Sequence, residues 1–133
     1  MKKLIIFGAL LSITTAASVA QTTKWGFDKT HSNIQFDIAH LVISEVTGQF
    51  KQYEGTILSD KPDFSDVKID FSIDVNSIST DDEKRDNHLR GEDFFDVAKY
   101  PNITFKSSSV KKEGEKKYKI TGSLTMHGVT KEI

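Results

Sequence analysis

From Val67 to Val75 the chain alternates without a fault: Val67, Ile69, Phe71, Ile73 and Val75 are apolar, and Lys68, Asp70, Ser72 and Asp74 between them are polar. A period of two marks a strand with one face in a core. Ile34, Phe36, Ile38 and His40 repeat the pattern, with Asn33, Gln35 and Asp37 on the opposite face. Trp25 and Phe27 share a parity in a short strand over 24–28. Ile103 and Phe105 mark a strand after Pro101, and Tyr118, Ile120, Leu124 and Met126 form the return strand of a hairpin whose loop is 111–116. Gly48 and Gly55 flank a bent segment holding Phe50, Tyr53 and Ile57, as the kinks of a curved sheet do. Lys61-Pro62-Asp63 and His127-Gly128 read as turns, and Val129 to Ile133 as the start of another strand.

One segment changes period. Ser79-Thr80-Asp81-Asp82-Glu83 predicts a helix start, with Thr80 and Glu83 as a capping box and the acidic run at the positive end of the helix dipole. Gly91 suits a left-handed residue just past the end, which places the helix at about 81–90. A helix of about ten residues is not stable alone, so it must dock, and Leu89, Phe94 and Phe95 are the side chains it can dock with. Short antiparallel strands, glycine-marked turns and one helix predict a mainly β barrel or sandwich.

Composition narrows the setting. Lys2 and Lys3, the apolar run Leu4 to Ile13 and the small residues Ser18-Val19-Ala20 have the form of a signal peptide over 1–20, cleaved after Ala20. The run is too short for a lasting membrane anchor. Residues 21–133 then form one domain, exported yet without a cysteine, which must hold itself by core and backbone pairing. That portion carries 16 basic against 19 acidic residues, a net charge of −3. Such a balance argues against nucleic acid and against adsorption to anionic lipid, and favours an apolar or small partner. The chain stops inside what reads as a fresh strand, so the expectation is a truncated domain whose unpaired edge favours association, as in a homodimer.

Candidate chemistry is sparse. No nucleophile elbow, phosphate-cradling glycine loop or cysteine occurs, and His31, His40, His88 and His127 lack metal-ligand spacing. No catalytic residue, metal or cofactor is therefore expected. His40 shares its face with Phe36 and Ile38 and reads either as a hydrogen-bonded core residue or as part of a metal or haem site with His88. The only two arginines of the chain, Arg85 and Arg90, each follow an aspartate by four residues, Asp81 and Asp86. They read as an ion-paired solvated face, or, with His88, as a cradle for an anionic head group or a lock for the helix. The inward faces are almost wholly apolar, which suits a filled core or a cavity for an apolar ligand. Its expected lining is Phe36, Ile38, Phe50, Phe71, Ile73, Val75, Phe94, Phe105, Ile120 and Leu124.

Taken together, His40-Leu41, Gly48-Gln49-Phe50, Arg85-Asp86-Asn87-His88-Leu89-Arg90 with Asp93-Phe94-Phe95, Lys99-Tyr100-Pro101, and Ile120 through Lys131 resemble the YceI-like family. The resemblance implies a lipocalin-like antiparallel barrel, incomplete in this chain because the family's domain continues several strands further. It also implies a non-catalytic, periplasmic protein that binds or carries a polyisoprenoid lipid or an isoprenoid quinone-like molecule. Two other readings stay open: an exported metal- or haem-binding protein or enzyme using His40 and His88, and a structural or stress-related envelope protein without a ligand.

Overall fold

The computed structural model describes residues 22–26, 28–40 and 44–133. The expected signal peptide (1–20) and Phe27 lie outside the described residues. Among the described residues the strands are β1 (Thr23–Trp25), β2 (Ile34–His40), β3 (Ser44–Phe50), β4 (Tyr53–Ser59), β5 (Lys68–Asp74), β6 (Ile78–Ser79), β7 (Asn102–Lys112), β8 (Tyr118–Met126) and β9 (Val129–Glu132), with one α-helix, α1 (Glu83–Arg90), and a single 3-10 turn, Val75–Ser77, between β5 and β6. They form a six-stranded sheet in the order β1-β4-β5-β7-β8-β9 and a three-stranded sheet in the order β2-β3-β6. Every pairing is antiparallel. The mainly β architecture expected from the alternation and the lipocalin-like fold implied by the resemblance are borne out, and the described strands do not close into a barrel.

Register follows from which side chains must share a face. Phe71 sits opposite Gly55 on one side and Phe105 on the other, and Phe105 in turn opposes Leu124. Ile69 opposes Ile57, and Ile73 opposes Ile103, so the apolar parity of four strands, β4, β5, β7 and β8, lies on one face of the large sheet. A bulge between Ser107 and Ser109 shifts β7 by one residue, which brings Val110 opposite Ile120 and restores the apolar face. In the small sheet Phe36 lies over Gly48, its direct partner, where any Cβ would run into the ring. The β8–β9 turn has His127 at φ 49° and Gly128 at φ 71°, the left-handed pair that matches the twist of a two-residue hairpin.

The core lies where the two sheets and the helix segment meet. Phe50, Val75, Ile78 and Ile103 are buried there, and Ile34, Phe36, Ile73, Leu89, Phe95, Val97 and Leu124 pack around them. Phe50 links both sides, with ring centroids 5.5 Å from Phe36 and 6.0 Å from Phe95.

The helix differs from its expected form at both ends. It begins at Glu83, with Asp82 as the N-cap accepting the Arg85 N–H at 3.0 Å, while Asp81 takes a left-handed φ of 59°. Thr80 is not the cap because Asp86 holds its amide and hydroxyl at the end of β6, at 2.8 and 2.6 Å. Gly91 closes the helix in extended geometry rather than left-handed, its N–H bonded to His88 O at 3.0 Å. The Asp82 carboxyl is held below the ordinary carboxylate value of 3.8, chiefly by that Arg85 amide and then by the Arg85 charge. A depressed folded-state pKa gives stability that is present above the ordinary value and is lost as pH falls through the lowered one. Amide exchange at 85–88 is therefore expected to accelerate selectively only in acid below 3.8, whereas an Asp82→Asn variant should show no such step.

Candidate functional site

The inner face of the large sheet carries one chemical character over a wide area. Ile57, Ile69, Phe71, Ile73, Phe105, Ile120 and Leu124 are each half-buried, and Tyr53 stacks on Phe71 at 5.7 Å. The small sheet covers this face only at the core end. Along β2, Ile34 and Phe36 join the core cluster, whereas Ile38 is 52% exposed. The apolar wall of the large sheet thus continues from the buried cluster as a half-exposed surface. It contains few hydrogen-bonding groups, so it can hold a flexible apolar chain by area and cannot read a head group.

The expected lining residues separate by depth. Phe71, Ile73, Phe105, Ile120 and Leu124 share the half-buried wall, with Phe36 at its edge. Phe50 and Val75 lie deeper, at 6% and 1% exposure, inside the core cluster. Phe94 is 47% exposed and stands beside α1 with the His88 ring edge-on at 4.9 Å. Backbone pairing sets His40 opposite Ser44 at the end of β2, and its side chain lies outside the described residues.

The arginines are committed to the backbone. Arg90 donates from Nε to Asn76 O at 3.0 Å, from Nη2 to Ile78 O at 2.9 Å, and from Nη1 to Asn87 Oδ1 at 2.9 Å. Arg85 donates from Nε to Thr80 Oγ1 and from Nη2 to Thr80 O, both at 2.7 Å. These bonds tie α1 to the segment 76–80. The i,i+4 partners Asp81 and Asp86 form no ion pair with them among the described residues; Asp86, 7% exposed, serves Thr80 instead. His88 stands at the surface, 3.7 Å from the Asp93 carboxylate. Among the described residues no three metal-capable side chains converge.

Sequence reasoning missed the Thr80–Asp86 pair, for which the chain offers no periodic signal. It also missed a polar cleft of about 630 Å³ beside the β3–β4 corner, lined among others by Lys29, Asn33, Gln49, Lys51 and Glu54. Only Phe50 and Tyr53 connect it to the apolar face. An apolar chain could not satisfy its amides and charges, so the apolar wall and not this cleft is the candidate site for such a ligand.

A two-sheet antiparallel fold with an apolar inner face and a single locked helix defines a lipocalin-like binding scaffold. The model of the YceI-like domain matches residues 25–133. Protein YceI of Salmonella newport is 42% identical over 135 residues, which covers 100% of this chain and 70% of that protein. The chain belongs to the YceI-like family. The crystal structure of the Campylobacter jejuni YceI protein is 41% identical with a TM-score of 0.64, over 82% of this chain and 64% of that one. Burkholderia cenocepacia BcnA is 27% identical with a TM-score of 0.73, over 80% of this chain and 66% of its own. This chain therefore spans about two thirds of those solved chains. A polyisoprenoid binding domain from Saccharophagus degradans, implicated in plant cell wall breakdown, shares the fold at 17% identity and a TM-score of 0.52.

Proposed function

We propose that the protein binds or carries an isoprenoid lipid in the bacterial periplasm and catalyses no reaction. The carrying observation is the half-buried wall of Ile57, Ile69, Phe71, Ile73, Phe105, Ile120 and Leu124, which continues into a buried cluster at one end. An isoprenoid chain is long, branched and free of hydrogen-bonding groups, so depth and apolar area are what it requires. Its burial returns about 25 cal/mol per Å² of apolar surface, less the ordering cost of binding. Membership of the YceI-like family and the polyisoprenoid binding of the Saccharophagus degradans domain support the same reading. Export rests on the form of residues 1–20.

Mass spectrometry of organic extracts from protein purified out of the periplasm tests it. Prenyl lipid at about one equivalent is the expected result. Bound zinc or haem without lipid would favour the metal-protein alternative, and protein with neither would leave a structural role.

A further inference from the structure

The third strand of the small sheet is only two residues long, and its two edges have different partners. Toward β3, Gln49 pairs with Ser79 and Phe50 with Ile78, and Ser77 O accepts the Lys51 N–H at 3.2 Å. Carbonyls two residues apart along an extended segment point to the same edge. Those of Ile78 and Thr80 accordingly face away from β3, and each accepts an arginine N–H, at 2.9 and 2.7 Å, while Asn76 O, in the 3-10 turn Val75–Ser77 that precedes β6, accepts a third at 3.0 Å. The Thr80 amide on that edge is taken by Asp86 at 2.8 Å, and the Ile78 amide by Val75 O. Every polar group that a fourth strand would use is occupied by α1 or by the chain's own turn. Lysine, used sixteen times, offers no planar fork that could span Asn76 O and Ile78 O from one side chain.

We propose that Arg85, Asp86 and Arg90 make α1 a substitute for a strand, an autoinhibitory contact that keeps the outer edge of β6 closed to strand addition by a second copy of this chain. An open edge presents unpaired N–H and C=O groups as a template for another strand. A twofold-related copy would offer residues 78–80 to the same residues of its partner, Ile78 opposite Thr80 and Ser79 opposite its own copy, a self-complementary pairing. The helix is suited to this task because Leu89 is its only apolar side chain. Its hold on β6 itself is therefore mainly polar, carried by the hydrogen bonds of Arg85, Asp86 and Arg90.

The test uses the full chain with Arg85→Gln and Arg90→Gln combined, and Ser79→Cys, which lies opposite its own copy in that pairing, as a reporter in a protein that has no other cysteine. Disulfide-linked dimer is expected to form at least tenfold faster in the triple variant than in Ser79→Cys alone. Sedimentation of the double variant should show concentration-dependent association beyond that of the parent protein. The other sheet edges are the same in both proteins, so the difference reports on β6. Equal cross-linking rates and unchanged sedimentation in a folded double variant would overturn the proposal. Should the double variant fail to fold, amide exchange in the unaltered protein decides. The Thr80 amide is expected to exchange with those of α1 and at least tenfold faster than that of Ile103. Exchange of Thr80 at the slow rate of Ile103 would show that α1 does not open separately, and the proposal would fail.

Discussion

Asp86→Ala is expected to destabilise the fold by about 3 kcal/mol, a large share of the ~5–15 kcal/mol that holds a domain of this size. Asp86 is 7% exposed, and one oxygen, Oδ1, accepts both the Thr80 amide and the Thr80 hydroxyl, at 2.8 and 2.6 Å. Alanine leaves two donors without an acceptor in a place where Thr80 is itself only 6% exposed. An unsatisfied buried donor costs about 1–3 kcal/mol, more than the net worth of the bond that was lost. The damage spreads, because the same hydroxyl accepts Arg85 Nε at 2.7 Å, so guanidinium, hydroxyl and carboxylate form one chain of hydrogen bonds. Asp86→Asn keeps an oxygen in place without the charge and is expected to lose about half as much. Chemical denaturation of the two variants checks the order. An alanine variant within about 0.5 kcal/mol of the parent would show that water replaces the carboxylate freely.

That pair also shows where sequence reasoning stops. Alternation predicted β5 to within one residue at each end, because its apolar parity has a sheet face to fill on both sides. The hairpin of β7 and β8 and the His127-Gly128 turn were equally legible, since strand periodicity and turn chemistry are local properties. The helix start was not. Thr80, Asp81 and Asp82 are all capping residue types, and the choice among them is made by Asp86, whose grip on Thr80 leaves Asp82 as the cap. The partners of the arginines were hidden for the same reason. Spacing placed Asp81 and Asp86 one turn before them, but backbone carbonyls on a strand edge leave no mark in the residue pattern. The bulge of β7 did leave one: the apolar parity moves from Ile103 and Phe105 to Val110, and such a change of parity signals an inserted residue.

Phe71→Asp is expected to reduce co-purified or added prenyl lipid at least tenfold, the difference of about 1.4 kcal/mol that even a partly hydrated carboxylate exceeds in an apolar wall. The ring lies between Gly55 and Phe105 in the sheet and stacks on Tyr53 at 5.7 Å, so the substitution puts a charge in the middle of the proposed binding surface. Phe71→Leu keeps an apolar surface there and is expected to retain most of the lipid while losing about 1 kcal/mol of stability through the lost ring contact. Thr104→Asp supplies the control for the face. Thr104 immediately precedes Phe105 and opposes Ser72, so it belongs to the outer, polar side of the same sheet. Its aspartate should leave lipid binding unchanged. The reverse result, lipid kept by Phe71→Asp and lost by Thr104→Asp, would place the ligand on the outer face and overturn the assignment to the apolar wall. Loss of lipid in both, with cooperative melting preserved, would point to a surface that senses net charge rather than one that buries an apolar chain.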